Sequence, residues 1–287
     1  MCKRTLVSIQ PTKSPYLMTK KEREFQAFLL DWYAKSGRHD LPWRQNHDPY
    51  KILVSELMLQ QTQVSRVVPK YQAFIRQYPT VKKLAKASLG DVLRLWQGLG
   101  YNRRAKFLLQ CAQTVSGEYD GVFPANYIEL LKLPGIGPYT AAAICAFAYN
   151  QPVELVETNV RQVYIHHFFK QAEQVTDTQI LEKVRRTIPI DQSRQWYAAL
   201  MDYGTHLKAL HGNNTRKVKG YTKQSKFTGS NREVRAAIVR ILTVQPHTKS
   251  QLWRELQRYD QVKIQPQVDS LLADQMVLLV KGKYQLP

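Results

Sequence analysis

Cysteine is scarce in this chain. Cys2, Cys111 and Cys145 are the whole complement, odd in number and far apart. Such spacing supports neither a disulfide framework nor a zinc site. Cys145 lies in the apolar run 141–148 and reads as a small core residue. Long hydrophobic runs are missing as well. No stretch reaches the roughly 20 apolar residues that a membrane span needs, and the basic first 18 residues hold no continuous apolar core of the kind a secretory signal requires. A cytoplasmic, nucleoid-associated location is expected by default, with no membrane partner. Acid is the third shortage: 22 Asp and Glu face 42 Lys and Arg, a formal charge of +20. An excess of that size points to a polyanion, because each neutralised phosphate releases counterions. Alternating strand patterns are absent before residue 270. The body is therefore expected to be all-α.

Hydrophobic residues make up 44% of the 287, enough to fill a core. Residues 1–18 read as a flexible basic arm. From Thr19 the pattern turns helical, with Phe25, Phe28, Leu29 and Trp32 on one apolar face. Helical segments are expected over 51–60, 64–77, 80–86, 89–97, 103–118, 126–132 and 138–149, with Gly, Pro or polar breaks between them. Residues 19–210 form the main domain on this reading. Residues 211–230 change character, with Arg216, Lys217, Lys219, Lys223 and Lys226 and no acid. This stretch is either a solvated linker or a polycationic segment that lies along DNA, and Lys217, Lys219 and Lys223 are candidate phosphate contacts. Residues 231–287 look like a unit of their own. Three amphipathic helices precede a short hairpin, Val277–Val280 and Tyr284–Leu286 around a Lys-Gly-Lys turn. That order resembles a winged helix-turn-helix, a module that binds proteins as well as DNA.

The segment Leu133-Pro134-Gly135-Ile136-Gly137-Pro138-Tyr139-Thr140 joins two helical segments. Gly135 and Gly137 permit a tight turn and close approach of a ligand. Pro138 suits the first position of a helix, and the N–H groups around a helix start make an anion site that a DNA phosphate fits. Glu56 stands among Leu53, Leu57 and Met58 on a largely apolar segment. A buried carboxyl tends to stay protonated, and a protonated carboxyl near neutrality is a general acid.

The hairpin, followed about twenty residues on by Val156-Glu157-Thr158-Asn159-Val160, resembles the signature of the helix-hairpin-helix base-excision DNA glycosylases. Ser55-Glu56-Leu57-Met58-Leu59-Gln60-Gln61-Thr62-Gln63-Val64 is similar to the active-site helix of the adenine-specific mismatch glycosylases. Leu41-Pro42-Trp43-Arg44, Pro49-Tyr50, Leu95–Tyr101 and Met201-Asp202-Tyr203-Gly204 are similar to that family too, so the resemblance spans roughly 22–208. It implies a two-lobed helical fold and a monomer that acts on double-stranded DNA. Glu56 would protonate the departing adenine at N7. Glu157, where the family usually has Asp, would stabilise the oxocarbenium-like sugar, and Asn159 would support it. Tyr139 occupies the place of the Schiff-base lysine of bifunctional relatives, so no strand cleavage is expected; it also reads simply as a helix-start packing residue. Gln61 and Tyr101 resemble residues that wedge into the duplex when a base is extruded, although Tyr101 equally suits a half-buried core position. Gln60, Thr62, Arg103, Gly135, Gly137 and Thr140 complete the expected DNA contacts, and the resemblance allows a monovalent cation at the 133–138 hairpin.

Two departures from the family stand out. Lys208 falls where the first of four cluster-binding cysteines would be, and no cysteine follows Cys145. An iron–sulfur cluster needs thiolates, so none is expected here, nor any other metal. The family's 8-oxoguanine-reading C-terminal domain is also expected to be missing, with the winged-helix-like unit in its place. A non-catalytic DNA-structure binder that keeps the fold remains the alternative, and Glu157 in place of Asp is the feature that favours it. Purified protein is expected to lack cluster absorbance near ~400 nm; stoichiometric iron and sulfide in folded protein would defeat that expectation.

Overall fold

The computed structural model describes residues 17–218 and 226–287. Helices dominate. In chain order they are α1 (Lys20–Ser36), α2 (Pro49–Leu59), α3 (Val64–Gln77), α4 (Val81–Ala85), α5 (Leu89–Trp96), α6 (Arg103–Glu118), α7 (Tyr127–Lys132), α8 (Pro138–Phe147), α9 (Thr158–Phe168), α10 (Asp177–Thr187) and α11 (Ser193–His211). The C-terminal part adds α12 (Asn231–Leu242), β1 (His247–Thr248), α13 (Lys249–Glu255), α14 (Gln261–Ala273), β2 (Leu278–Val280) and β3 (Lys283–Gln285). Of the expected basic arm, residues 1–16 lie outside the described residues.

The chain divides into two compact units, and each is discontinuous. One takes the described residues up to Leu53 and those from Phe123 to Val218; the other takes Val54–Val122 and the described residues from Lys226 onward. In the first unit, α11 packs on α9, α1 and α8. Trp196, Tyr197, Tyr164 and Leu29 are buried there, and Phe25 meets Tyr164 and Trp196 edge-on, with centroids 5.5 and 5.6 Å apart. Geometry of that kind adds to area burial. The buried stripe of α1 is Glu22, Phe25, Leu29 and Tyr33 rather than the face read from sequence. Phe28 is 44% exposed and lies against Tyr203 and His167 at the margin of α11. Hydrophobicity alone did not separate the stripe from its edge, because Phe28 and Phe25 look alike by periodicity.

In the second unit, α6 packs against α4 and α5. The C-terminal elements run helix, strand, helix, helix, hairpin, and the three strands are antiparallel in the order β1-β3-β2. Lys281 and Gly282 both have positive φ, 48° and 72°, as a two-residue hairpin turn of matching twist requires. Sequence reading missed β1, since His247 and Thr248 form a strand only by pairing with Tyr284 and Lys283. Residues 231–287 do not stand alone. Asp274 receives Arg103 at 2.5 Å and Arg235 at 2.8 Å, and Lys106 donates to the Asp274 carbonyl. Arg94 donates to the Thr243 carbonyl at 3.1 Å, and the Gly90 N–H to the Pro287 carbonyl at 2.9 Å.

Glu22 is the most consequential ion in the first unit. It is fully buried, it closes a capping box with Thr19, and it accepts from Arg186 at 2.9 Å and Lys183 at 3.0 Å. Burial alone would raise its pKa, but Arg186, the Thr19 N–H and Lys183 together hold it at about 2. A folded-state pKa below the unfolded value of ~4.3 contributes stability that is fully present above that unfolded value and lost as the pH falls towards 2. Unfolding midpoints in urea are therefore expected to drop between pH 5 and pH 2, and Glu22→Gln should flatten that part of the profile. An unchanged slope in the variant would assign the acid sensitivity to another group.

Candidate functional site

The hairpin before α8 has the geometry of an anion cradle. Gly135 takes φ +75°, a conformation that costs a side-chain-bearing residue energy. Gly137 is the N-cap of α8; Pro138 follows it at the first helical position, and no side chain caps this helix start. A Cβ at Gly137 would meet nothing within 4 Å, so the backbone there is open to a ligand. The open N-terminus of a helix favours a phosphate. Tyr139 is half-buried in the first turn. Thr140 does not present its side chain as expected: it is 3% exposed, in a helix whose residues 140–146 are all buried. Only its backbone belongs to the cradle.

Glu157 caps the next helix, α9. Its Oε1 accepts from the Asn159 N–H at 2.5 Å and the Val160 N–H at 3.0 Å. Burial raises its pKa, opposed by these N–H groups and by Arg161. The Asn159 amide reaches Glu157 Oε2 at 3.5 Å and Met201 Sδ at 3.8 Å. Gly204 explains how α11 comes this close: a Cβ there would lie 2.6 Å from Asn159 Cβ. Asp202, two residues before Gly204 on the same helix, is buried and takes both its partners from the N-terminal segment. Arg44 donates to it at 2.6 and 2.8 Å, and Arg38 through its side chain at 2.8 and 2.5 Å and its N–H at 2.7 Å. Burial would raise the Asp202 pKa, yet Arg44 and Arg38 hold it below the ordinary carboxylate value. The motifs Leu41–Arg44 and Met201–Gly204 thus form one device that seats α11 against the Glu157 cap.

Glu56 belongs to the other unit. Residues 52–58 of α2 are all buried, and Glu56 itself is 8% exposed. The loop after α2 carries Gln60, Gln61 and Thr62; the loop before α6 carries Leu99, Gly100 and Tyr101. One side chain that sequence reading passed over ties both loops together. The Arg104 guanidinium is buried and donates to the carbonyls of Leu57, Met58 (3.2 Å), Gln60 (2.7 Å), Leu99 (3.2 Å) and Gly100 (3.0 Å), and to Thr62 Oγ1 at 3.4 Å. Burial lowers its pKa to about 10. Gln61 and Tyr101 are exposed with φ +56° and +48°, left-handed values that are uncommon without glycine and gather at functional sites.

Other expected contacts are placed differently. Arg103, largely exposed, pairs with Asp274, a carboxylate it shares with Arg235. Residues 211–218 are not a solvated linker. Gln162, 1% exposed, accepts from the Asn214 N–H at 2.8 Å and donates to the Gly212 carbonyl at 2.9 Å, while the Lys217 ammonium donates to the Lys170 carbonyl at 2.9 Å. A buried amide that satisfies two backbone groups outweighs the local polarity that suggested a linker. Lys219 and Lys223 lie outside the described residues. Among the described residues no group of three or more His, Cys, Asp or Glu is arranged to hold a metal, and no helix is long and apolar enough to cross a membrane.

Residues 54–189 match the model of the HhH-GPD superfamily base excision DNA repair proteins. The adenine DNA glycosylase of Mycolicibacterium smegmatis is 37% identical over 277 residues, covering 87% of this chain and 91% of that protein. The chain belongs to this family. The adenine DNA glycosylase of Mycobacterium tuberculosis is 34% identical over 290 residues and covers 90% of this chain and 92% of its own length. Coverage that wide takes in part of residues 231–287, so the family likeness is not confined to the helical body. Among solved structures, a thermostable thymine-DNA glycosylase superposes with a TM-score of 0.59 at 29% identity, over 64% of this chain and 86% of its own. A mostly helical glycosylase fold of this superfamily is what the helices above describe.

Arg104→Met keeps the apolar stem and removes every donor. Several buried carbonyls would lose their partner, so the unfolding free energy is expected to fall by on the order of 3 kcal/mol. Urea titration checks this; a variant as stable as the parent would mean that water replaces the guanidinium.

Proposed function

We propose that the protein is a monofunctional adenine DNA glycosylase of base excision repair, which hydrolyses the N-glycosidic bond of adenine in mispaired or damaged duplex DNA. The observation that carries this reading is the Glu157 carboxylate, drawn onto the start of α9 by two backbone N–H groups beside Asn159.

Breaking the bond between the sugar C1′ and adenine N9 sends the electron pair to the base and leaves a cationic sugar. Glu56, in its apolar helix, gives a proton to the base at N7 and so makes it a better leaving group. Glu157 meets the cation as an anion, and water completes the hydrolysis at C1′. Because burial opposes its charge in the free protein, the ionised Glu157 gains most when the cation forms, which is the differential stabilisation that catalysis needs. Tyr139 has no amine, so the product is an intact strand with an abasic site. The Gly135–Gly137 cradle takes a backbone phosphate, with room for a monovalent cation at the 133–138 hairpin, and Gln60, Gln61, Thr62 and Tyr101 meet the duplex.

Residues 19–210 carry this activity in a monomer, in the cytoplasm at the nucleoid. The basic stretch 211–230, its first part docked through Gln162, leads into 231–287, a winged-helix-like unit with DNA or protein as its partner. An iron–sulfur cluster does not fit the donors here. Lys208 and the segment held by Gln162 supply no thiolate, so no step passes through such a group.

Single-turnover excision from a duplex with one mispaired adenine, developed with alkali, tests the assignment. Glu56→Gln and Glu157→Gln should each lower the rate at least ~100-fold with little change in binding to undamaged duplex. With its pKa raised by burial, Glu157 should move the acid limb of the rate profile upward from where an ordinary carboxyl would put it, and that limb should disappear in Glu157→Gln. A slower Glu157→Asp means that the pocket is built around the longer side chain. A faster one favours the non-catalytic binder, and strand breaks formed without alkali would remove the monofunctional assignment.

A further inference from the structure

We propose that Arg232, at the start of α12, is a positioning residue for Tyr101, and that the C-terminal winged-helix-like elements thereby work in base extrusion. The inference rests on the reading of Tyr101 as a side chain that enters the duplex.

Tyr101 is 37% exposed and sits on a backbone with φ +48°. Its root is fixed from below: the Arg104 N–H donates to the Tyr101 carbonyl at 2.9 Å, and the buried Arg104 guanidinium lies 5.4 Å from the ring centroid. Its tip is fixed from the other side. Arg232 Nη1 donates to the Tyr101 hydroxyl at 2.6 Å, and the Arg232 guanidinium is 5.6 Å from the same ring. Two guanidinium groups therefore hold one exposed phenol. Cation–π contacts of this kind contribute even at exposed sites.

Arg232 is itself held. Its other terminal nitrogen donates to the Lys226 carbonyl at 3.3 Å, and the turn before α12 is closed by the Gly229 N–H on Glu233 at 2.6 Å and by Lys263 on the Gly229 carbonyl at 2.9 Å. The whole C-terminal unit is fastened to α6 two residues beyond Tyr101, through Asp274 and Arg103. Asp274 also takes Arg235, one turn along α12 from Arg232. The carboxylate that occupies Arg103 thus sets the distance between α12 and the Tyr101 loop. Residues 231–287 are a brace behind the inserting ring.

The bond needs both the phenol oxygen and the planar fork of arginine. Four full-length variants separate the possibilities: Arg232→Ala, Arg232→Lys, Tyr101→Phe and the double variant Arg232→Ala/Tyr101→Phe. Duplex with 2-aminopurine beside a single mispaired adenine reports unstacking by its fluorescence, and single-turnover excision is measured in parallel. Arg232→Ala and Tyr101→Phe should each lower the fluorescence rise and the excision rate about tenfold, and the double variant should be no worse than either. Arg232→Lys keeps the charge, so its affinity for undamaged duplex should stay within ~2-fold while the unstacking defect remains. Losses that multiply in the double variant, or full unstacking in Arg232→Ala, would overturn the proposal. If the parent protein unstacks the duplex but excises nothing, the functional reading fails and the positioning role stands. No unstacking by the parent overturns both the wedge role of Tyr101 and this brace.

Discussion

Arg104 places a full positive charge in a dry interior and surrounds it with backbone carbonyls. The end of α2, the Gln60–Thr62 loop and the Leu99–Tyr101 loop all accept from the same fork through their carbonyl oxygens. These carbonyls are the orphans that a helix end and two tight turns leave behind. Each would need water if the arginine were absent, and there is little room for water when the residues between 52 and 58 are buried. A planar group with five donors suits the task, and an ammonium does not. Fixing these oxygens fixes the left-handed residues Gln61 and Tyr101 beside them, and it fixes the helix from which Glu56 projects. The surface features of the second unit therefore depend on one cation that touches no ligand.

The first unit uses the opposite sign for the same end. Asp202 is a buried anion that draws in Arg38 and Arg44 from the N-terminal segment. Its helix then lies close enough to α9 for Gly204 to rest on Asn159. Buried ion pairs of this kind are weak evidence for stability, because desolvation consumes most of the Coulombic gain. Their value here is positional. Asn159 and Glu157 occupy one arrangement because the helix opposite them cannot slide without exposing Asp202.

A glycosylase needs an anion that survives near a cation and a proton donor that survives near neutrality. Helix starts and apolar helix faces are ready sources of both. Glu157 accepts from two N–H groups at the start of α9, and Glu56 is buried within the stretch 52–58 of α2. The segment after α11 is held by an amide, Gln162, that satisfies two backbone groups.

Helical periodicity, helix-start residues and glycine placement were legible along the chain because they are local. The segments 64–77, 103–118 and 126–132 needed only spacing, and Pro138 announced the start of α8. Glu56 was read from the apolar run around it, whereas Glu157 was reached only through the resemblance to the glycosylase motifs. Tertiary structure alone decided the rest. Phe28 and Phe25 are equivalent by periodicity, and only the position of α11 exposes one and buries the other. Arg103 and Arg104 are adjacent basic residues, yet one pairs with Asp274, 171 positions away, and the other enters the interior. Thr140 was among the expected DNA contacts, yet its side chain is buried with the rest of α8. Residues 211–218 looked like a linker until Gln162 reached them. In each case the deciding partner lies far off in the chain, and burial or pairing depends on three-dimensional neighbours that no local pattern encodes.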